Sequence, residues 1–194
     1  MVRLPQRLET ARLLLRLPTA EDAGPLNAAI LASHAELNRW MEWAQEPQAL
    51  AETRSFCQES FRSWREETAC NLLMVETQSG EIVGSCGYPR LNWPVPAFEI
   101  GYWCRTDRVG RGYVTEATWA LTRHAFEALG ANRVEIRTDD LNRRSWRVAE
   151  RLGFRLEATL RNEVRSPNGR LRDTRIYGAI ALGELSAPRL PAGA

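Results

Sequence analysis

The chain switches repeatedly between helical and strand-like spacing of its apolar residues, and the switches mark out its elements. Arg12–Leu17 reads R-L-L-L-R-L and predicts a strand after a short polar lead. Thr19 followed by Asp22 is near a capping box, so a first helix is expected from there to about His34. The stretch 36–47 (ELNRWMEWAQEP) is aromatic and irregular, whereas 48–67 (QALAETRSFCQESFRSWREE) carries apolar residues at helical spacing behind Pro47. The segments 71–77 and 81–91 are strand patterns joined by a Ser79-Gly80 turn, a hairpin signal. NWPVPA, 92–97, is punctuated by proline and predicts a loop.

In the second half the order is strand, glycine turn, helix: FEIGYWCR (98–105), TDRVGRGY (106–113), then 114–129, closed by Gly130 just past the helix end. A strand at 133–138 follows, then a turn, a short helix at 143–152 stopped by Gly153, and a strand at 154–160. Residues 161–180 read as a hairpin with Pro167-Asn168-Gly169 at its tip. Residues 1–185 are expected to form one α/β domain. The tail 186–194, rich in proline, alanine and glycine, is expected to be disordered.

Composition narrows the chemistry. With 194 residues and 44% hydrophobic content the chain can bury a sizeable core. All 26 basic residues are arginine, which excludes a Schiff-base lysine or a phosphate-loop lysine. A net charge of +2 is too small for a platform that holds duplex nucleic acid by its phosphates, and no direct nucleic-acid binding is expected, although arginines cluster from Arg133 to Arg175. Cys57, Cys70, Cys86 and Cys104 are scattered and form no C-x-x-C pair, so a reducing cytoplasm is expected rather than a disulfide framework. Arg7, Arg12 and Arg16 break the apolar runs near the start, and neither a signal peptide nor a membrane span is expected. His34 and His124 lack a ligand companion four residues away, so no metal is expected.

Val109-Gly110-Arg111-Gly112-Tyr113-Val114 sits where a strand hands over to a helix, so its main-chain N–H groups converge at the positive end of the helix dipole. Glycine lets bare backbone approach a phosphate closely. The residues alone leave two readings, an anion site and an ordinary tight turn. G-x-G-x-x-G and G-x-x-x-x-G-K-[ST] are both missing, which argues against dinucleotide and P-loop sites.

FEIGYW (98–103), GRGYVTEA (110–117), N-R-R-S (142–145) and V-A-E-R-L-G-F (148–154) together resemble the GNAT superfamily of acetyltransferases, and within it the RimJ/RimL-like branch that acetylates protein N-termini. The resemblance covers most of the chain. It implies an α/β fold with a mixed central sheet, splayed between the parallel strands FEIGYWC and RVEIRT, and with helices on both faces. It implies acetyl-CoA as donor, with pantetheine laid along the strand at Tyr102 and Trp103, where one N–H also serves as an oxyanion donor. The pyrophosphate would lie in the loop Val109, Gly110, Arg111, Gly112, Tyr113 and Val114. Gly112 takes the family's central glycine position, whereas Val109 stands where Gln or Arg is usual and Val114 where Gly or Ala is usual. These departures weaken side-chain contacts more than a site built on main-chain donors.

The resemblance also gives Asn142 the task of holding the pantetheine arm, where the residue alone reads equally as an N-cap. Ala149 occupies the position of the family's usual tyrosine acid, and Ser145 matches the serine of RimL-like enzymes, so the resemblance implies Ser145, or else a water, as proton donor to the departing thiolate. Trp40 and Trp43, with Met41, fall in the segment that in the family forms one wall of the acceptor groove; the residues alone read equally as partly buried under the second helix. Glu99 stands out on its own: a strand covered on both faces should be almost wholly apolar, so this carboxylate either pairs with an arginine or lines the cleft as a base. A thioacyl-enzyme at Cys104 is disfavoured, because no histidine near it in sequence would activate the thiol.

The reaction expected is direct attack of a primary amine on the thioester in a ternary complex. At pH 7, freeing an α-amine of its proton costs about 1.4 kcal/mol and freeing a lysine about 4.6 kcal/mol. A weak base suffices for the first, which favours a peptide or protein N-terminus, a ribosomal protein among the candidates. A small-molecule amine acceptor, a non-catalytic acyl-CoA-binding protein and an RNA-associated module are the alternatives. A homodimer is left open.

Overall fold

Alternation along the strands decides what the sheet buries. In the strand Arg133–Asp139 every second residue, Val134, Ile136 and Thr138, is buried, as a strand with one face on a core requires. The computed structural model describes residues 3–166 and 169–188. Its strands are β1 (Arg7–Glu9), β2 (Leu13–Arg16), β3 (Cys70–Glu76), β4 (Ile82–Asn92), β5 (Ala97–Cys104), β6 (Arg133–Asp139), β7 (Arg155–Arg165) and β8 (Leu171–Ala179). The helices are α1 (Ala23–Leu37), α2 (Leu50–Arg65), α3 (Tyr113–Glu127) and α4 (Arg143–Leu152).

The strands form one mixed sheet in the order β1-β2-β3-β4-β5-β6-β8-β7. Only β5 and β6 run parallel, and they pair over Ala97–Glu99 against Arg133–Glu135 alone. Beyond that point β5 stays on β4, with Cys104 opposite Gly84, while β6 stays on β8, with Asp139 opposite Thr174. With no pairing between them past Glu99 and Glu135, the two strands part there and the sheet opens into a V. This is the splay expected between FEIGYWC and RVEIRT.

Helices cover both faces. Leu26 and Ile30 of α1 and Cys57 of α2 pack on Leu73, Val75 and Ile82. On the other face Ala117, Leu121 and Ala125 of α3 and Val148, Ala149 and Leu152 of α4 pack on Phe98, Ile100, Val134 and Ile136. The capping signal heads a short 3-10 turn, Ala20–Asp22, that runs directly into α1: Thr19 N–H donates to Asp22 Oδ2 at 2.7 Å, and Asp22 pairs with Arg16 at 2.6 Å.

Three details differ from the sequence reading. The polar lead contributes the edge strand β1, which pairs with β2. Helix α1 continues past His34 to Leu37. The strand at 154–160 and the first arm of the following hairpin are a single strand, β7, whose register slips between Leu160 and Val164, where Asn162 adopts φ 54°. Pro167 and Asn168 of the hairpin tip, and the tail from residue 189, lie outside the described residues. No helix among the described residues is long and apolar enough to cross a membrane.

Candidate active site

The loop after β5 is shaped by two glycines. Gly110 (φ 80°) and Gly112 (φ 85°) are in the left-handed region that disfavours side chains, and Gly112 is the N-cap of α3. No side chain caps that helix, so its first-turn N–H groups are not consumed by an Asx or hydroxyl cap. The loop is tied down from behind. Buried Glu116 accepts from Thr10 Oγ1 (2.6 Å), Arg12 N–H (2.9 Å) and Arg12 Nε (2.8 Å), and Arg12 Nη1 donates to the carbonyl of Arg111 (3.0 Å). Tyr113 is buried, with its hydroxyl on Glu76 and its ring under the Arg12 guanidinium, so only its main chain is available to a ligand.

Two cavities open on either side of the splay. The first, roughly 470 Å³, is lined by Val109, Gly110, Gly112 and Val114 of the loop and by Arg147 and Arg151 of α4. The second, roughly 500 Å³, is lined by Trp40, Trp43, Glu99 and Asp139. Both share Trp40, Met41, Tyr102, Trp103, Asn142 and Ser145, so they meet at the end of β5 and the start of α4. The residues fit the donor implied by the resemblance: a glycine turn at a helix start for a diphosphate, a groove between diverging strands for an extended arm, and a junction open to a second chamber. Among the described residues no group of His, Cys, Asp and Glu is arranged as a metal site.

Successive residues of β5 point to opposite faces, which separates their surroundings. Tyr102 faces α4: its hydroxyl donates to the Ser145 carbonyl at 3.0 Å, and Ser145 Oγ donates to that hydroxyl at 3.3 Å. Burial pushes the Tyr102 phenol up to about 12, so it stays protonated at neutral pH. Asn142 does cap α4, its Oδ1 accepting from Ser145 N–H at 3.2 Å, and it also lines both cavities. Trp103 faces the other way, its ring 6.2 Å from that of Trp43. Trp40 donates from Nε1 to Glu36 (3.2 Å), and the Arg172 guanidinium lies 5.3 Å from its ring. The Arg111 carbonyl accepts from Arg12, and its side chain is exposed.

Glu99 combines the two roles that the sequence left open. It lies in the second cavity with its side chain 15% exposed, and Arg90 Nη1 is 3.6 Å from Oε2, beyond hydrogen-bonding distance. Oε2 has no hydrogen-bond partner. Burial raises the carboxyl pKa; Arg90 opposes this, Glu135 adds to it, Arg137 opposes and Glu163 adds. A carboxyl raised in the folded state costs stability once it ionises, so the penalty is absent below its ordinary value near 4.5 and grows as pH rises through the folded value. Glu99→Gln is therefore expected to melt a few degrees above wild type at pH 7, with the difference closing as pH falls below about 4.5. A pH series of melting temperatures measures it; a variant less stable than wild type at pH 7 would mean that the Arg90 pair outweighs burial.

Two charged groups near Glu99 escaped sequence reasoning. Glu163 pairs with Arg137, and Asp139 with Arg172 at 2.9 Å. Both contacts depend on the order β6-β8-β7, which no local pattern reveals. Cys104 lines the first cavity, but burial, with Asp107 adding, pushes its thiol up to about 11 against the pull of Arg105 and Arg111. At neutral pH it is a thiol, and the weaker nucleophile. His124 is half-buried, with its pKa lowered by desolvation, and stands 3.3 Å from the Tyr88 hydroxyl, away from both cavities.

Comparison with known proteins agrees with this geometry. Residues 12–155 match the family model described as an Acetyltransferase (GNAT) domain. The Bacillus subtilis protein YdaF is 31% identical over 169 residues, covering 86% of this chain and 90% of YdaF. The ribosomal-protein-serine acetyltransferase of Escherichia coli is 27% identical over 156 residues, 80% of this chain and 86% of that protein. Among solved structures, RimL in complex with coenzyme A superposes with a TM-score of 0.82 at 24% identity, over 88% of this chain and 95% of that one.

Proposed function

Because the chain belongs to the GNAT acetyltransferase family, we propose that it transfers the acetyl group of acetyl-CoA to the α-amine at the N-terminus of a polypeptide, a ribosomal protein being the favoured acceptor. The observation that carries this reading is the junction of the two cavities at Tyr102, Trp103, Asn142 and Ser145, with Glu99 in the acceptor chamber only. Acetyl-CoA supplies the electrophilic thioester carbonyl. The loop Val109–Val114 and the start of α3 bind the donor's diphosphate through main-chain N–H groups, and the open edge of β5 at Tyr102 and Trp103 receives its extended arm.

Glu99, unneutralised by a direct hydrogen bond and raised toward the working pH, takes the proton from the incoming ammonium. Ser145, on the hydroxyl of Tyr102, gives its proton to the departing thiolate, and the second proton that the nitrogen sheds on becoming an amide passes to water, from which the Ser145–Tyr102 pair is re-protonated. Trp40 and Trp43 wall the acceptor and exclude water. We read 1–185 as one catalytic domain, supported by a sheet that joins strands from both ends of the chain. A ribosomal acceptor would put the enzyme in the cytoplasm.

The acceptor is tested with matched peptides, one with a free N-terminus and no lysine, the other N-terminally blocked with a single lysine. The first is expected to be acetylated about two hundredfold faster at pH 7, following the difference in deprotonation cost of about 3.2 kcal/mol. Mass spectrometry that finds acetyl mainly on lysine, or turnover with small amines alone, would replace the acceptor and leave acetyl transfer standing.

A further inference from the structure

Most arginines of this chain sit in ion pairs, and the exceptions are informative. Arg144, Arg147 and Arg151 project from one stripe of α4 into the first cavity, the spacing of three and then four residues keeping them on a common face. Arg144 is 3.8 Å from Glu36. Arg147 and Arg151 are exposed and have no carboxylate within ion-pair distance among the described residues; Arg147 touches only the ring of Trp146, 5.8 Å away. Across the same cavity, Arg108 is already neutralised by Glu81. Two unpaired guanidinium groups therefore remain, one helical turn apart, in the cavity whose other wall is the glycine loop.

Acetyl-CoA carries two anionic groups of different kind, a diphosphate and a separate phosphate monoester on the ribose 3′ oxygen. Main-chain N–H groups at a helix start suit the first, because the chain can wrap closely around it. The monoester carries close to two charges and three oxygens, and arginine forks match it bidentately. The geometry points to Arg147 and Arg151 as the clamp for the 3′-phosphate, and so as the residues by which this enzyme distinguishes CoA thioesters from their dephospho counterparts. Arginine has to do this here because the chain has no lysine.

The inference concerns the donor alone, so its test needs no acceptor and is independent of the N-terminal assignment. Calorimetric titration compares acetyl-CoA with 3′-dephospho-acetyl-CoA on wild type, Arg147→Gln, Arg151→Gln and the double variant, with the exposed Arg54→Gln on α2 as control. Wild type and the control are expected to bind acetyl-CoA roughly ten- to a hundred-fold more tightly than the dephospho compound, the scale of charge-assisted hydrogen bonds. The double variant is expected to bind both ligands with the affinity that wild type has for the dephospho compound. Wild type that does not discriminate overturns the clamp, as does a double variant that weakens both ligands by the same factor, since that is the signature of a merely basic surface. Melting temperatures of the free variants, expected to match wild type because both side chains are exposed, keep a folding defect from passing as either result.

Discussion

Gly112→Glu is expected to abolish the rise in melting temperature that acetyl-CoA gives the wild-type protein. Binding to the native state stabilises by RT ln(1 + [L]/Kd), about 2.7 kcal/mol at a hundredfold excess over Kd, so loss of the site is easily read. Two effects converge at this residue. Its φ of 85° costs an L side chain about 1–2 kcal/mol, which lowers the melting temperature without ligand. The carboxylate then stands at the start of α3, where it occupies the first-turn N–H groups as an N-terminal anion would, and repels the diphosphate. Gly112→Ala separates the two. A Cβ there meets only Arg12 Nη2, at 3.4 Å, so alanine carries the strain without the charge and should keep a reduced ligand shift. An unchanged shift in Gly112→Glu would mean that the diphosphate lies elsewhere in the cavity.

What could be read in advance follows from where the information resides. Helices α2, α3 and α4 announce themselves locally: Pro47, Gly130 and Gly153 bound them, and the Thr19-Asp22 cap is written within four residues. Glu99 was visible because one carboxylate in an apolar strand breaks a local pattern. The splay was not locally visible. It arises where the β5–β6 pairing stops after three residues, while β6 continues on β8 some forty residues further along the chain; periodicity encodes neither pairing, and only the family resemblance supplied the splay. The same holds for the Arg12–Glu116 anchor, whose partners are 104 residues apart, and for Glu163, which the irregularity at Asn162 makes impossible to assign to a face by counting in twos. Local chemistry reads well from sequence; what brings two local features together does not.

The Tyr102–Ser145 pair is such a meeting, and it sets the expectation for the proton donor. Ser145→Ala should lower kcat about 10²-fold with acetyl-CoA affinity nearly unchanged, the scale of a lost general acid. Ser145 Oγ is the only side-chain hydroxyl at the start of α4, and Ala149, buried one turn further on, has none to offer. A serine alone is a poor acid, but here Oγ lies 3.3 Å from the Tyr102 hydroxyl: once Oγ gives its proton to the thiolate, the Tyr102 O–H can turn from the Ser145 carbonyl to Oγ and replace it, the phenol regaining its own proton from water. Tyr102→Phe tests that link. It keeps the ring on α4 and the strand edge that receives the donor, and removes only the bond to Oγ and the one to the Ser145 carbonyl. If Ser145 is the donor and Tyr102 its relay, Tyr102→Phe should cost about tenfold, and adding it to Ser145→Ala should cost little more, because groups acting in one chain are non-additive. If the tyrosine is itself the acid, the order reverses, with Tyr102→Phe the more damaging and Ser145→Ala mild. Full activity in both Ser145→Ala and Tyr102→Phe would leave water as the proton source and remove both residues from the chemical step.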